Sequence, residues 1–161
     1  MSLTLEPMDE EDFAAYLSRL IPEYAREGAK ATGMPADEAL EFAGKQIRAL
    51  LPEGRGTRGH HFRNLIDAGG ATVGILWFAE RPSKTPPDLF IYDIQVEETE
   101  RGKGHGSAAF LRLRREASGL GAEAISLHVF ETNSAAIRLY ERLGYECIHR
   151  GKGGLQMSLR L

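Results

Sequence analysis

A single cysteine, Cys147, is all the thiol chemistry in this chain of 161 residues. That excludes an internal disulfide and every metal motif built on several cysteines. No apolar run approaches the roughly 18 residues of a membrane-spanning helix. The opening residues, MSLTLEPMDEEDF, lack the basic-then-apolar pattern of a secretory leader. An excess of one charge sign is missing too: 20 Lys and Arg against 23 Asp and Glu leave a net charge of −3. Bulk electrostatics therefore favour neither nucleic acid nor an anionic membrane as a partner. Adjacent His60 and His61 would point to opposite faces of a strand with no acid cluster beside them, so no metal is expected. What remains is the expectation of a cytoplasmic protein, with residues 1–161 forming one domain large enough for its own core.

What is present reads as alternating strands and helices. LTLEPM is a short strand stopped by Pro7. DEEDFAAYLSRLIPEYAREGAKA is helical, with acids in its first turn and Pro22 expected to kink or divide it. ADEALEFAGKQIRALL is a second amphipathic helix, with Ala39, Phe42, Ala43, Ile47, Leu50 and Leu51 expected on its inward side. HFRNLID, ATVGILWFAE and DLFIYDIQVEE then read as three strands of an antiparallel meander. The stretch from Gly104 is a helix burying Ala109, Phe110, Leu113 and Ala117, and AISLHVF is a strand. NSAAIRLYERLG is a helix with an Asn cap and a Gly stop. YECIHR and LQMSLRL form a closing hairpin, with Cys147 expected as a small buried hydrophobe. The order β-α-α-β-β-β-α-β-α-β-β predicts an α/β (α+β) fold: a mixed sheet covered by helices.

The densest signal is ETERGKGHGSAAF, where Gly102, Gly104 and Gly106 alternate with Arg101, Lys103 and His105. A glycine-rich turn opening a helix presents bare N–H groups at the positive end of a helix dipole, which suits phosphate. No Gly is followed by Lys and then Ser or Thr, which excludes a Walker loop. The dinucleotide fingerprint G-x-G-x-x-[GA] does match at Gly104, Gly106 and Ala109. It should follow its strand directly, early in a βαβ unit, whereas ETERGK intervenes here and three strands precede it.

IQVEETERGKGHGSAAF resembles motif A of the GCN5-related N-acetyltransferases (GNAT family), whose core is [QR]-x-x-G-x-[GA]. Arg101, Gly104 and Gly106 fill the defining positions, and Val96 sits where that family's strand ends. ISLHVFETNSAAIRLYERLGYE resembles the family's motif B, with Asn133, Ala136, Ile137, Leu139, Tyr140, Gly144 and Tyr145 in place. One departure is Glu98, where the family often has proline. The longer helical region before HHFRNLID, and FIYD, are similar to an uncharacterised bacterial branch of the family. The resemblance implies a mostly antiparallel sheet of six to seven strands flanked by about four helices, with two central parallel strands splayed apart. It also implies acetyl-CoA as cosubstrate and no metal. Its arm and pyrophosphate would be held by Ile94, Gln95, Val96, Arg101, Gly102, Lys103, Gly104, His105, Gly106 and Ser107, together with Asn133, Ala136 and Tyr140. The expected partner is a small-molecule amine; homodimers occur in the family, so that state stays open.

Acetyl transfer to an amine needs a polarised carbonyl, a base for the amine and an acid for the departing thiolate. The resemblance implies Tyr140 as that acid, although a helical Tyr is also ordinary core. Asn133 doubles as a helix cap. Asp93, an acid in an apolar strand, is a candidate base, because a charge there is costly unless paired or used. His128 is the other candidate, with a sheet-face histidine as its plain alternative. Two further function classes are carried: a non-catalytic acyl-CoA-binding module and an NAD(P)-binding oxidoreductase.

Overall fold

The structure, a computed structural model, describes residues 2–151 and 153–161. The described elements, in chain order, are β1 (Thr4–Pro7), α1 (Glu10–Thr32), α2 (Ala36–Leu50), β2 (His60–Ile66), β3 (Thr72–Arg81), β4 (Asp88–Val96), α3 (His105–Gly119), β5 (Ala124–Phe130), α4 (Ser134–Arg142), β6 (Glu146–Gly151) and β7 (Gly154–Arg160). This is the order expected from the sequence. The chain clusters into two compact units, one made of the residues up to Pro7 with Gly59–Leu161, the other of Met8–Arg58.

In the Met8–Arg58 unit, α1 starts at a reciprocal cap. The Asp12 N–H donates to Asp9 Oδ1 at 2.7 Å and the Asp9 N–H donates to Asp12 Oδ2 at 3.2 Å. The helix runs unbroken through Pro22 to a left-handed Gly33, φ 74°. The expected division at Pro22 does not occur. A proline removes one backbone bond, a loss of about 3 kcal/mol, and several intact turns stand on either side of it. α2 meets α1 through Ala25, Ala39 and Ala43, small residues that let two backbones approach. Phe42, expected on the inward side, is 51 % exposed. At 100° per residue it lies about 100° from the centre of the Ala39–Ala43–Ile47 stripe.

The other unit is built on a seven-stranded sheet of order β1-β2-β3-β4-β5-β7-β6. β2, β3 and β4 form the expected antiparallel meander. β4 and β5 are parallel, joined through α3, and the remaining pairings are antiparallel. This mixed order is not the doubly wound parallel sheet that a dinucleotide fingerprint requires. One face of the sheet carries Leu65, Leu76, Phe78, Leu89, Ile91, Ile125, Leu127 and Val129, packed with Ala109, Phe110, Leu113 and Ala117 of α3. The inward face of α3 is thus the one its periodicity predicted. β6 is an edge strand exposed at every residue, so Cys147 is exposed rather than buried. A bulge between Cys147 and His149 breaks the ladder of this edge, which discourages further strand addition.

Candidate active site at the parted strands

The parallel pair is short. Its partners are Asp88 with Ala124, Leu89 with Ile125, Phe90 with Ser126 and Ile91 with Leu127, and there it stops. Beyond it, β4 continues to Val96 on β3 and β5 continues to Phe130 on β7. The two strands therefore part, as the expected splay requires, and the β4 edge facing β5 has no strand partner after Ile91. Alternate residues along such an edge present unpaired N–H and C=O groups.

The parting coincides with a bulge. Ile91 lies opposite Phe78, yet Asp93 lies opposite Trp77, so Tyr92 is an extra residue in β4. The extra residue flips the alternation that follows. Ile94 and Val96 pack on the α3 core, while Asp93 shares the opposite face with Trp77. This resolves the expected cost of an acid in an apolar strand, because the bulge removes Asp93 from the core face. Both Asp93 carboxylate oxygens accept from Gln95 Nε2 at 3.2 Å.

Past Val96 the chain makes a 3-10 turn over Glu98–Glu100, starting where the family often has proline, and enters the glycine loop. Gly102 (φ 79°) and Gly104 (φ 84°) hold left-handed backbone that a side chain would disfavour. Gly104 caps α3 without a side-chain bond, and the first helical N–H bond is that of Ala108 to Gly104 O. The amides of His105, Gly106 and Ser107 are thus left at the positive end of the helix dipole. A Cβ on Gly102 or Gly106 would meet no protein atom within 4 Å, so no protein packing requires a glycine at either position. Bare amides, open space and nearby cations fit a pyrophosphate. Arg101 Nε donates to Val96 O at 3.1 Å, tying the loop to the end of β4, and Lys103 pairs with Glu100 at 2.7 Å. His105 differs from expectation: its ring is buried at 6 % exposure, not displayed beside the loop, and its Nδ1 has no partner.

α4 follows β5 and begins at Asn133, whose side-chain oxygen accepts from the Ala136 N–H at 3.2 Å. The capping reading of Asn133 is therefore the one seen. Tyr140 stands in the last turn of α4, edge-on to Phe110 at 5.5 Å between ring centroids. Burial first, and the Asp93 carboxylate second, raise its pKa above the ordinary 10.0. Its phenol is therefore protonated at neutral pH and able to donate. Because Phe110 belongs to the α3 core while Asp93 lies on the other face, the two groups that influence each other belong to opposite faces of the sheet. Tyr145 has a buried hydroxyl without a partner, and burial drives its pKa upward.

His128 is the first β5 residue beyond the parallel pair. It is exposed on the Asp93 face, edge-on to Phe130 at 5.4 Å. Its ring lies directly over Gly154 of β7: a Cβ there would collide with Nε2 and stand 2.7 Å from Cε1. His60 and His61 do point to opposite faces. His61 Nε2 meets Glu80 Oε2 at 2.7 Å, while His60 Nδ1 accepts from Trp77 Nε1 at 3.1 Å. Burial, then the neighbouring His61, lower the pKa of His60, so its imidazole is neutral at pH 7. No cluster of three metal-ligating side chains occurs among the described residues.

Three features of the site escaped the sequence. The Tyr92 bulge had a signal, since the apolar spacing of Leu89, Ile91, Ile94 and Val96 slips by one residue where a strand should alternate. Gly154 had none, because its role appears only when β7 is laid beside β5. The third is a buried network below the parting. Arg81 Nε and Nη2 donate to the two Asp88 oxygens at 2.7 Å each, and Ser126 Oγ donates to Asp88 Oδ2 at 2.7 Å.

Comparison with known proteins agrees with this geometry. Residues 20–145 match the model of the acetyltransferase (GNAT) family. The uncharacterized N-acetyltransferase YdgE of Bacillus subtilis is 34 % identical over 145 residues, covering 90 % of this chain and 92 % of that protein. The uncharacterized N-acetyltransferase YycN of the same organism is 38 % identical over 148 residues, covering 91 % and 94 %. A crystal structure of YycN superposes with a TM-score of 0.85, over 94 % of this chain and 96 % of that one. The PaiA N-acetyltransferase of Thermoplasma acidophilum, solved in complex with coenzyme A, shares the fold with a TM-score of 0.66 at 18 % identity, over the whole of both chains. Parted strands, glycine loop and sequence kinship converge on one conclusion: this chain belongs to the acetyltransferase (GNAT) family.

Proposed function

We propose that the protein is an acetyl-CoA-dependent N-acetyltransferase that acetylates a primary amine of a small molecule by direct attack in a ternary complex. The observation that carries this reading is the opening between β4 and β5, with a glycine loop following one strand and a protonated phenol that feels the charge of Asp93. The loop amides from Gly102 to Ser107 hold the pyrophosphate, and the β4 edge from Ile94 to Val96, which has no strand partner on that side, holds the arm and the thioester oxygen. The amine nitrogen forms a bond to the thioester carbonyl carbon, the C–S bond breaks, and Tyr140 gives its proton to the departing thiolate. The proton lost by the amine goes to a base on the opposite face, for which Asp93 and His128 are the two candidates. His128→Gln and Asp93→Asn separate them: the variant of the true base loses the acidic limb of the pH–rate profile, and the other retains it.

Acetyl-CoA thiol release, measured over a panel of amines together with thermal shift by CoA, tests the whole. Gly106→Val, which fills the open space beside the loop amides, should abolish the CoA shift. An unchanged CoA dissociation constant in that variant would remove the loop assignment. CoA binding without amine-dependent thiol release across the panel would instead leave a non-catalytic binding module.

A further inference from the structure

Of the exposed large hydrophobic side chains among the described residues, two aromatic rings fall in the sheet unit, and both stand at the opening. Tyr92 is 38 % exposed at the β4 bulge, and Phe130 is 56 % exposed at the end of β5. They share one face of the sheet. Tyr92 contacts Phe90, Phe90 lies in register with Ser126, and Ser126, His128 and Phe130 alternate on one side of β5. Exposed rings on both lips of one opening are not the scattered apolar residues expected of a surface.

Behind Tyr92 the wall is aromatic and uncharged. Trp77 stacks on Tyr92 at 4.5 Å and on Phe62 at 5.2 Å, and His60 lies 5.6 Å from Tyr92. The indole N–H is already used by His60, and Trp77 and Phe62 are buried, so they back the exposed Tyr92 ring with apolar surface rather than with hydrogen bonds. Negative charge on the two strands themselves is sparse. β4 carries two acids and β5 none. Asp88 is buried and committed to Arg81 and Ser126, which makes Asp93 the single carboxylate these strands bring to the opening. A polyamine or an aminoglycoside, with several cationic centres, requires several such groups. One carboxylate between two aromatic lips suits one ammonium on a flat apolar skeleton.

We infer that the acceptor is an arylalkylamine-type monoamine, its ring held between Tyr92 and Phe130 and its amine beside Asp93. The inference rests on the acetyl transfer proposed above and adds the acceptor class. Steady-state kinetics at saturating acetyl-CoA, with 2-phenylethylamine and spermidine as probes, test it. The kcat/KM for 2-phenylethylamine should exceed that for spermidine by about tenfold or more. Tyr92→Ala and Phe130→Ala should each raise its KM about tenfold while kcat stays within about twofold. Tyr92→Phe should restore the KM, and Leu111→Ala, which removes an exposed side chain from α3 (58 % exposed), should leave it unchanged. Preference for spermidine, or an unmoved KM in both alanine variants, overturns the acceptor class while acetyl transfer stands. No CoA shift and no thiol release with any amine overturns acetyl transfer itself, and the acceptor class with it.

Discussion

Over Asp88–Ile91, β4 is hydrogen-bonded on both edges, and its acid, Asp88, is 3 % exposed beneath three side-chain bonds. Over Tyr92–Val96 the same strand is paired with another strand on one edge only, and its acid, Asp93, lies beside an opening. The two halves have the same neighbour on one side and opposite fates on the other. A parallel pair is weaker per residue than an antiparallel one, so parting it midway invites further separation. The closed half answers this with an ion pair. Arg81 clamps Asp88 from β3, Ser126 clamps it from β5, and the Arg81 guanidinium lies 4.5 Å over Phe90. The open half can carry unpaired backbone because the closed half is tied across three strands.

Breaking the closed half should have the largest effect. Asp88→Ala strips Arg81 and Ser126 of their acceptor, at an expected cost of about 3 kcal/mol. Chemical denaturation measures it. A loss under about 1 kcal/mol would show that the strand pair holds without its clamp. The open half is probed by Tyr140→Phe, which keeps the ring against Phe110 and removes the proton donor. It should lower kcat about a hundredfold with CoA affinity unchanged. Since burial and Asp93 hold the Tyr140 pKa above 10.0, the alkaline fall in kcat from this group should have its midpoint above pH 10. Equal turnover in the variant would remove Tyr140 from the acid role.

Gly154→Ala asks whether the opening depends on the third strand behind it. The glycine's φ is not positive, so alanine suits the backbone, yet the new methyl group must displace the His128 ring. If His128 is the base, kcat should fall about tenfold, and the same substitution should do nothing further in a His128→Gln background. A full additional loss there would assign the effect to sheet distortion. The smallest effect concerns His60. Its lowered pKa means that the folded state resists a proton the unfolded chain accepts near pH 6.5. The stability it contributes is complete above about 6.5 and declines as pH falls below that value. His60→Gln keeps an acceptor for the Trp77 indole and should flatten the acid side of Tm against pH.

Much of this was legible in the chain because the signals are local. The acidic first turn of α1, the α3 stripe of Ala109, Phe110, Leu113 and Ala117, and the Asn133 cap each follow from residues within a turn or two of one another. The glycine loop was legible for the same reason: left-handed backbone at Gly102 and Gly104 is written in the residue type. Failures came where neighbours distant in sequence decide. Pro22 was read by its local cost, and the intact helix around it prevailed. Cys147 was read by residue preference, but its strand lies at an edge. His105 was read as a cation flanking phosphate, although its position in the first turn of α3 turns the ring inward. Asp93 was recognised as anomalous, but the register of β3 was needed to place it on the open face.

The Tyr92 bulge has a consequence for how such a protein can vary. Substitution at Tyr92 changes one ring, whereas loss of the position would shift the phase of every later residue in β4. Asp93 and Gln95 would turn toward the α3 core, and Ile94 and Val96 would turn toward the Trp77 face. A change of residue at this position thus leaves the phase of the strand intact, whereas a change of length would exchange its two faces.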